Sequence, residues 1–102
     1  MDVNAVSLTG QLAGIEPLRH TPAGLPLLNF KLAHRSLQVE GGYKRQVECE
    51  VNCVALGDAA TQLSRVKAGA DVKVTGFLNR KNRMSAQLVL HATLTELVSE
   101  GS

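Results

Sequence analysis

The chain of 102 residues contains no tryptophan and only three aromatic side chains, Phe30, Tyr43 and Phe77. Three rings cannot fill an interior, so the core has to be built from Leu, Val and Ala. A ligand with flat faces would find few platforms to stack on. The two cysteines, Cys49 and Cys53, have C-x3-C spacing and no second ligand pair, which excludes the usual zinc patterns. On an extended strand they stand about 13 Å apart along one face, too far to bridge each other. Both read as buried thiols. No apolar run approaches the ~18–20 residues of a membrane span. The first residues, Met-Asp-Val-Asn, lack the basic and apolar regions of a secretory leader. The expectation is a single cytoplasmic domain, residues 1–102, burying roughly 65% of its unfolded surface around a thin core.

Catalytic signatures are missing too. None of the nine glycines belongs to a G-x-x-x-x-G-K-[ST] or G-x-G-x-x-G loop, and no G-x-S-x-G elbow occurs. Glu48 and Glu50 alternate on one strand face, beside Lys44 and Gln46, and read as solvated rather than as a paired acid and base. His34 and His91 have no ligand-spaced companions and read as hydrogen-bonded structural histidines. Neither enzymatic activity nor a cofactor or metal is expected.

What the chain does have is segregated charge. Arg19 to Arg45 holds five cations (Arg19, Lys31, Arg35, Lys44, Arg45) against one acid, Glu40, and Val72 to Thr95 holds four (Lys73, Arg80, Lys81, Arg83) against none. Each segment carries +4 and the rest of the chain −6, so the net +2 conceals two basic stretches. Both are patterned as strands, which suits a small β domain gripping a polyanion.

Period-two alternation marks the strands. Val6, Leu8, Gly10 and Leu12 face one way in the first. After a loop, Thr21-Pro22-Ala23-Gly24-Leu25-Pro26, whose glycine and prolines are expected to break any ladder, Leu28, Phe30 and Leu32 alternate with Asn29, Lys31, Ala33 and Arg35. Glu40-Gly41-Gly42-Tyr43 reads as a loose connection. Val47, Cys49, Val51 and Cys53 form the apolar face of the third strand, opposite Lys44, Gln46, Glu48, Glu50 and Asn52. A helix capped by Asp58 is expected over Ala59, Ala60, Leu63 and Val66, ending near Ala68-Gly69. In the fourth strand Val72, Val74 and Gly76 oppose Lys73, Thr75 and Phe77. Arg80-Lys81-Asn82-Arg83 reads as a hairpin loop before a last strand with Leu88, Leu90, Ala92 and Leu94 on one face. Ser99 to Ser102 reads as a short tail. Five strands with one short helix between the third and fourth is the element order of an all-β OB-fold barrel.

Single-strand binding needs cations along a groove and flat groups for bases. Lys31 and Arg35 share an outward face, Lys44 and Arg45 open the third strand, and Arg80, Lys81 and Arg83 arm a hairpin able to fold over that face. Tyr43 is the stacking candidate. Phe77 is either a second one or a core or interface residue, and Phe30 belongs to the core.

The segments Leu32-Ala33-His34-Arg35-Ser36, Gly42-Tyr43-Lys44-Arg45-Gln46, Val74-Thr75-Gly76-Phe77 and Val89-Leu90-His91-Ala92, with Thr21 to Pro26, resemble the primosomal replication protein N (PriB) family from about Ser7 to Leu97. The resemblance implies a dimeric OB-fold similar to bacterial single-stranded DNA-binding protein, assisting the PriA helicase and other primosome proteins in replication restart. It also implies single-stranded DNA binding through the faces of the second and third strands and the loop between the fourth and fifth. By position these sites fall on Lys31, Arg35, Tyr43, Lys44, Arg45 and Arg80–Arg83. One departure stands out: Glu48 occupies a position where a relative of the family carries tryptophan, so weaker or re-routed binding is expected. A reading of a different class is an adaptor that stimulates a helicase and touches DNA only weakly. A general single-stranded DNA-binding protein is expected to extend into a long acidic tail, whereas this sequence stops at Glu100-Gly101-Ser102. RNA stays open, because phosphate pairing and stacking do not read the 2′-hydroxyl.

Overall fold

Strand alternation accounts for most of the architecture. The computed structural model describes residues 2–98, and the expected tail from Ser99 lies outside them. Six strands and one helix follow in order: β1 (Val6–Ile15), β2 (Arg19–His20), β3 (Pro26–Glu40), β4 (Tyr43–Leu56), α1 (Asp58–Leu63), β5 (Asp71–Arg80) and β6 (Leu88–Leu97). The sheet order is β1-β5-β6-β4-β3-β2, and β1 pairs with β3 to close the barrel. β2 is a two-residue addition, so the five main strands and the single helix form the expected OB-fold. Inside lie Leu12, Leu28, Phe30, Leu32, Cys53, Ala55, Ala60, Leu63, Val72, Val74, Leu90 and Ala92.

Several local expectations are corrected. Pro26 does not end the ladder. It starts β3 and pairs with His20, a position at a strand's first residue that costs no hydrogen-bond donor within the sheet. Gly57, not Asp58, is the N-cap of α1, and Asp58 makes no capping hydrogen bond. The helix also ends at Leu63, followed by turns at Ser64 to Val66. The connection expected to be loose is a two-residue turn: Gly41 and Gly42 both have positive φ, and Glu40 pairs directly with Tyr43. Two such residues in the left-handed region define the hairpin turn that matches strand twist. Cys49 is exposed and only Cys53 is buried. Finally, Leu94 leaves the inner face. Gly76 pairs with Ala92 and Thr75 with Leu94, so Thr93 is an extra residue in β6. One inserted residue reverses the alternation beyond it, turning Leu94 outward and Thr95 inward. The bulge brings the two backbones together so closely that a Cβ on Gly76 would overlap the His91 carbonyl.

Candidate nucleic-acid interface

Residues directly opposite each other in an antiparallel pair share a face. Lys31 pairs with Asn52, Ala33 with Glu50, Arg35 with Glu48, and Val39 with Lys44. These residues therefore form one outward surface along the β3–β4 ribbon, with Asn29 in line. Two loops rise at one end of it. The first, Glu16 to Leu25, carries the short strand β2 within it and is tied by hydrogen bonds from the Thr21 N–H to the Leu25 carbonyl (2.8 Å) and from the Leu25 N–H to the Thr21 hydroxyl (3.1 Å). The second, residues 81–87, is held by the Lys81 N–H donating to the Gln87 carbonyl (2.9 Å) and the Met84 N–H donating to the Asn82 side-chain oxygen (2.9 Å). Between them lies a groove of about 690 Å³, whose lining includes Arg19, Lys31 and Lys81 with Glu16, Glu50, Asn29 and Asn52.

The sequence-derived candidates are thus divided. Lys31 and Lys81 meet in the groove. Arg80 is the last residue of β5 rather than part of the loop, and its guanidinium lies 3.4 Å from the Arg83 carbonyl. Arg35 stands in the middle of the ribbon, bound to Glu48 at 2.9 and 3.0 Å through two guanidinium nitrogens. The anion at position 48 therefore neutralises its neighbour instead of standing free on the face. Tyr43 and Lys44 are exposed at the far tip, and Arg45 sits 3.8 Å from Glu40. Tyr43 and Arg45 lie on the ribbon face opposite Lys44, as strand alternation requires. Phe77 is outward on β5, stacked on His91 with ring centroids 4.9 Å apart, and neither ring lines the groove. His34 is held structurally, its Nδ1 donating to the Thr9 carbonyl (2.7 Å) and its Nε2 accepting from the Ser36 hydroxyl (2.8 Å).

Arg19, Asn29, Asn52 and Glu50 were not singled out as groove residues by sequence. Alternation places Asn29, Glu50 and Asn52 on the outward face with Lys31, but which part of that face the loops flank depends on barrel closure. The described residues contain no His, Cys, Asp and Glu grouping able to hold a metal and no helix long and apolar enough to cross a membrane. Burial pushes the Cys53 thiol up to about 12, leaving it protonated and inert.

A basic groove on an OB barrel meets its relatives at this point. Residues 4–94 match a family model described as another single-strand binding protein family. The chain is 40% identical to replication restart protein PriB of Nitrosomonas europaea, over 93% of this chain and 88% of that protein. It is 36% identical to PriB of Proteus mirabilis over 99% of both. The chain belongs to the PriB family. The solved PriB of Ralstonia solanacearum superposes with a TM-score of 0.89 at 32% identity, covering 96% of this chain and all of that one. The single-stranded DNA-binding protein of Thermus aquaticus shares the fold, with a TM-score of 0.78 at 24% identity over 97% of this chain and 52% of that one.

Proposed function

We propose that this protein binds single-stranded DNA, without requiring a sequence motif, across the β3–β4 face and under the 81–87 loop. In this reading it acts as a homodimer in the cytoplasm, assisting the PriA helicase in replication restart. The observation that carries the reading is the groove itself: three cations from three separate elements converge there, on the face that OB-folds present to oligonucleotides. Arg19, Lys31 and Lys81 pair with phosphates, and Lys44 extends the basic path along the same face to the ribbon tip. A strand that wraps round the tip meets Arg45 and Tyr43 on the opposite face, where Tyr43 stacks a base. The protein's part is binding, not catalysis.

The decisive experiment is fluorescence anisotropy with a labelled ~30-nucleotide strand at low and near-physiological salt, against duplex and RNA controls. Tight single-strand binding with a steep salt slope supports several phosphate contacts. One observation favours the adaptor reading: Arg35 is engaged by Glu48, and Glu50 leaves the middle of the face near neutral. Binding that disappears at near-physiological salt, with helicase stimulation retained, would establish the adaptor instead. Charge reversal of Arg80, Lys81 and Arg83 separates the two, since an adaptor keeps its stimulation when DNA contact is lost.

A further inference from the structure

We infer that the groove reads base edges by hydrogen bonding, with Glu50 as the specificity-determining residue, and prefers bases bearing amino hydrogens, cytosine over thymine. This rests on the single-strand reading above and adds a ligand preference to it.

The groove has the size of a small-ligand site, at about 690 Å³. Yet it offers no ring for a base to stack on. Phe30 reaches it but is 3% exposed, and Phe77 does not line it. Tyr43 lies nine residues along β4 from Asn52, about 30 Å at the usual strand rise. The one flat group other than the Asn amides that lines it is the Arg19 guanidinium, which the phosphates also claim, so a base entering this groove is held chiefly by its edge.

The polar groups that would meet such an edge are Asn29, Asn52, Glu50 and Glu16. Glu16 stands on the flanking segment, whereas Glu50 lies on the ribbon face beside Lys31 and Asn52. Glu50 is the informative one. Two ion pairs are present among the described residues, Arg35–Glu48 and Arg45–Glu40, and Glu50 belongs to neither. A carboxylate unpaired in a groove with Arg19, Lys31 and Lys81 repels a phosphate placed beside it, so a strand lies best with phosphates on the cations and a base towards Glu50. A carboxylate only accepts hydrogen bonds. Cytosine presents an N4 amino group, the partner that acidic side chains take from this base. Thymine presents two carbonyl oxygens around a single N–H, which oppose the carboxylate. The amides of Asn29 and Asn52 donate and accept, and so serve either pyrimidine.

The test is anisotropy with ~30-nucleotide oligo-dC and oligo-dT at low salt and pH 8, where cytosine is unprotonated, on wild type, E50Q and E48Q. Wild type should bind oligo-dC about five-fold more tightly or better, the lower end of what a base-specific contact provides. E50Q should bring the ratio close to one, chiefly by improving oligo-dT. E48Q should keep the ratio, because Glu48 faces Arg35 and lies outside the groove. Equal wild-type affinities, or a ratio that survives in E50Q, would overturn the assignment while leaving single-strand binding intact. Failure to bind either strand would instead remove the reading beneath it.

Discussion

The β3–β4 ribbon runs through two environments. In its first half, Leu28, Phe30, Leu32, Cys53 and Ala55 are buried in the barrel, and the opposite face forms the groove. In its second half no other strand among the described residues covers either face, and Leu37, Val39 and Tyr43 are 61%, 72% and 76% exposed. The pairing register, and with it the alternation of faces, runs unbroken across both halves. What differs is the presence of a second layer, so residues of the same type contribute to stability in one half and remain available to a ligand in the other.

The largest contrast should appear in the two thiols, which sit four residues apart on one strand. Cys49 is exposed and Cys53 buried, so Cys49 should react with a disulfide reagent at once. Cys53 should be slower by a factor of ~10³ or more, set by the global stability that must be overcome to expose it. The elevated Cys53 value, about 12 against 9.0, also fixes a pH dependence. The native state holds the proton more tightly than the unfolded chain, so stability from this group is intact below about pH 9 and is lost as pH rises towards 12. Rapid labelling of both thiols in native protein would break the contrast.

Substitutions should show the same division. Leu32→Ala should cost about 2–5 kcal/mol in urea denaturation, by lost burial and the cavity left behind. Leu37→Ala, five residues on, should stay within about 0.5 kcal/mol, as exposed positions do. Comparable losses would mean that the free half is covered in solution, as it would be by a second copy of the chain.

Much of this was legible in the residues. Alternation from Val6 to Leu12, Leu28 to Arg35 and Lys44 to Cys53 marks strands and their inner faces, and Gly57 to Val66 marks the interruption by a helix. The bulges at Thr93 and at Ala13, which is passed over where Leu12 pairs with Leu32 and Gly14 with Lys31, were not legible, because an inserted residue is defined only against its partner strand. For that reason unbroken alternation places Leu94 inward, whereas the bulge turns it out. The Arg35–Glu48 pair was within reach: a two-residue Gly41-Gly42 turn sets the register, and counting back from it places the two opposite each other. Reading that turn as loose left the cation and the anion as separate features. Arg19 was hidden differently, since its place in the groove depends on the short β2–β3 pairing that Pro26 seemed to forbid.

On the binding side, neutralising Arg80, Lys81 and Arg83 together should weaken single-strand affinity at least ten-fold and lower the salt slope by about 2, at ~0.7 per phosphate contact. Unchanged affinity would remove the loop from the interface. At the other end of the ribbon, Tyr43→Ala should cost about 1–3 kcal/mol of binding for a lost base stack while leaving the salt slope unchanged. A change in slope without that loss would assign the tip to phosphate contact through Lys44 and Arg45.

The smallest effect belongs to the boundary between the two halves. Arg35 and Glu48 are joined at 2.9 Å, with side chains 81% and 67% exposed, so water screens the pair and its contribution to stability should be below about 1 kcal/mol. Its influence on binding should be larger. Glu48→Gln removes the anion that engages Arg35 and releases a guanidinium onto the outward face, where a phosphate replaces the carboxylate. Affinity for oligo-dC and oligo-dT should rise together by a few-fold, and the salt slope should increase by about 0.7 for one added phosphate contact. Arg35→Gln should weaken binding by a few-fold and leave the salt slope unchanged, because it frees the Glu48 carboxylate to repel a strand but removes no phosphate contact. If Arg35→Gln instead lowers the slope by about 0.7, then the ion pair opens when a strand arrives, and the DNA path runs the whole length of the ribbon.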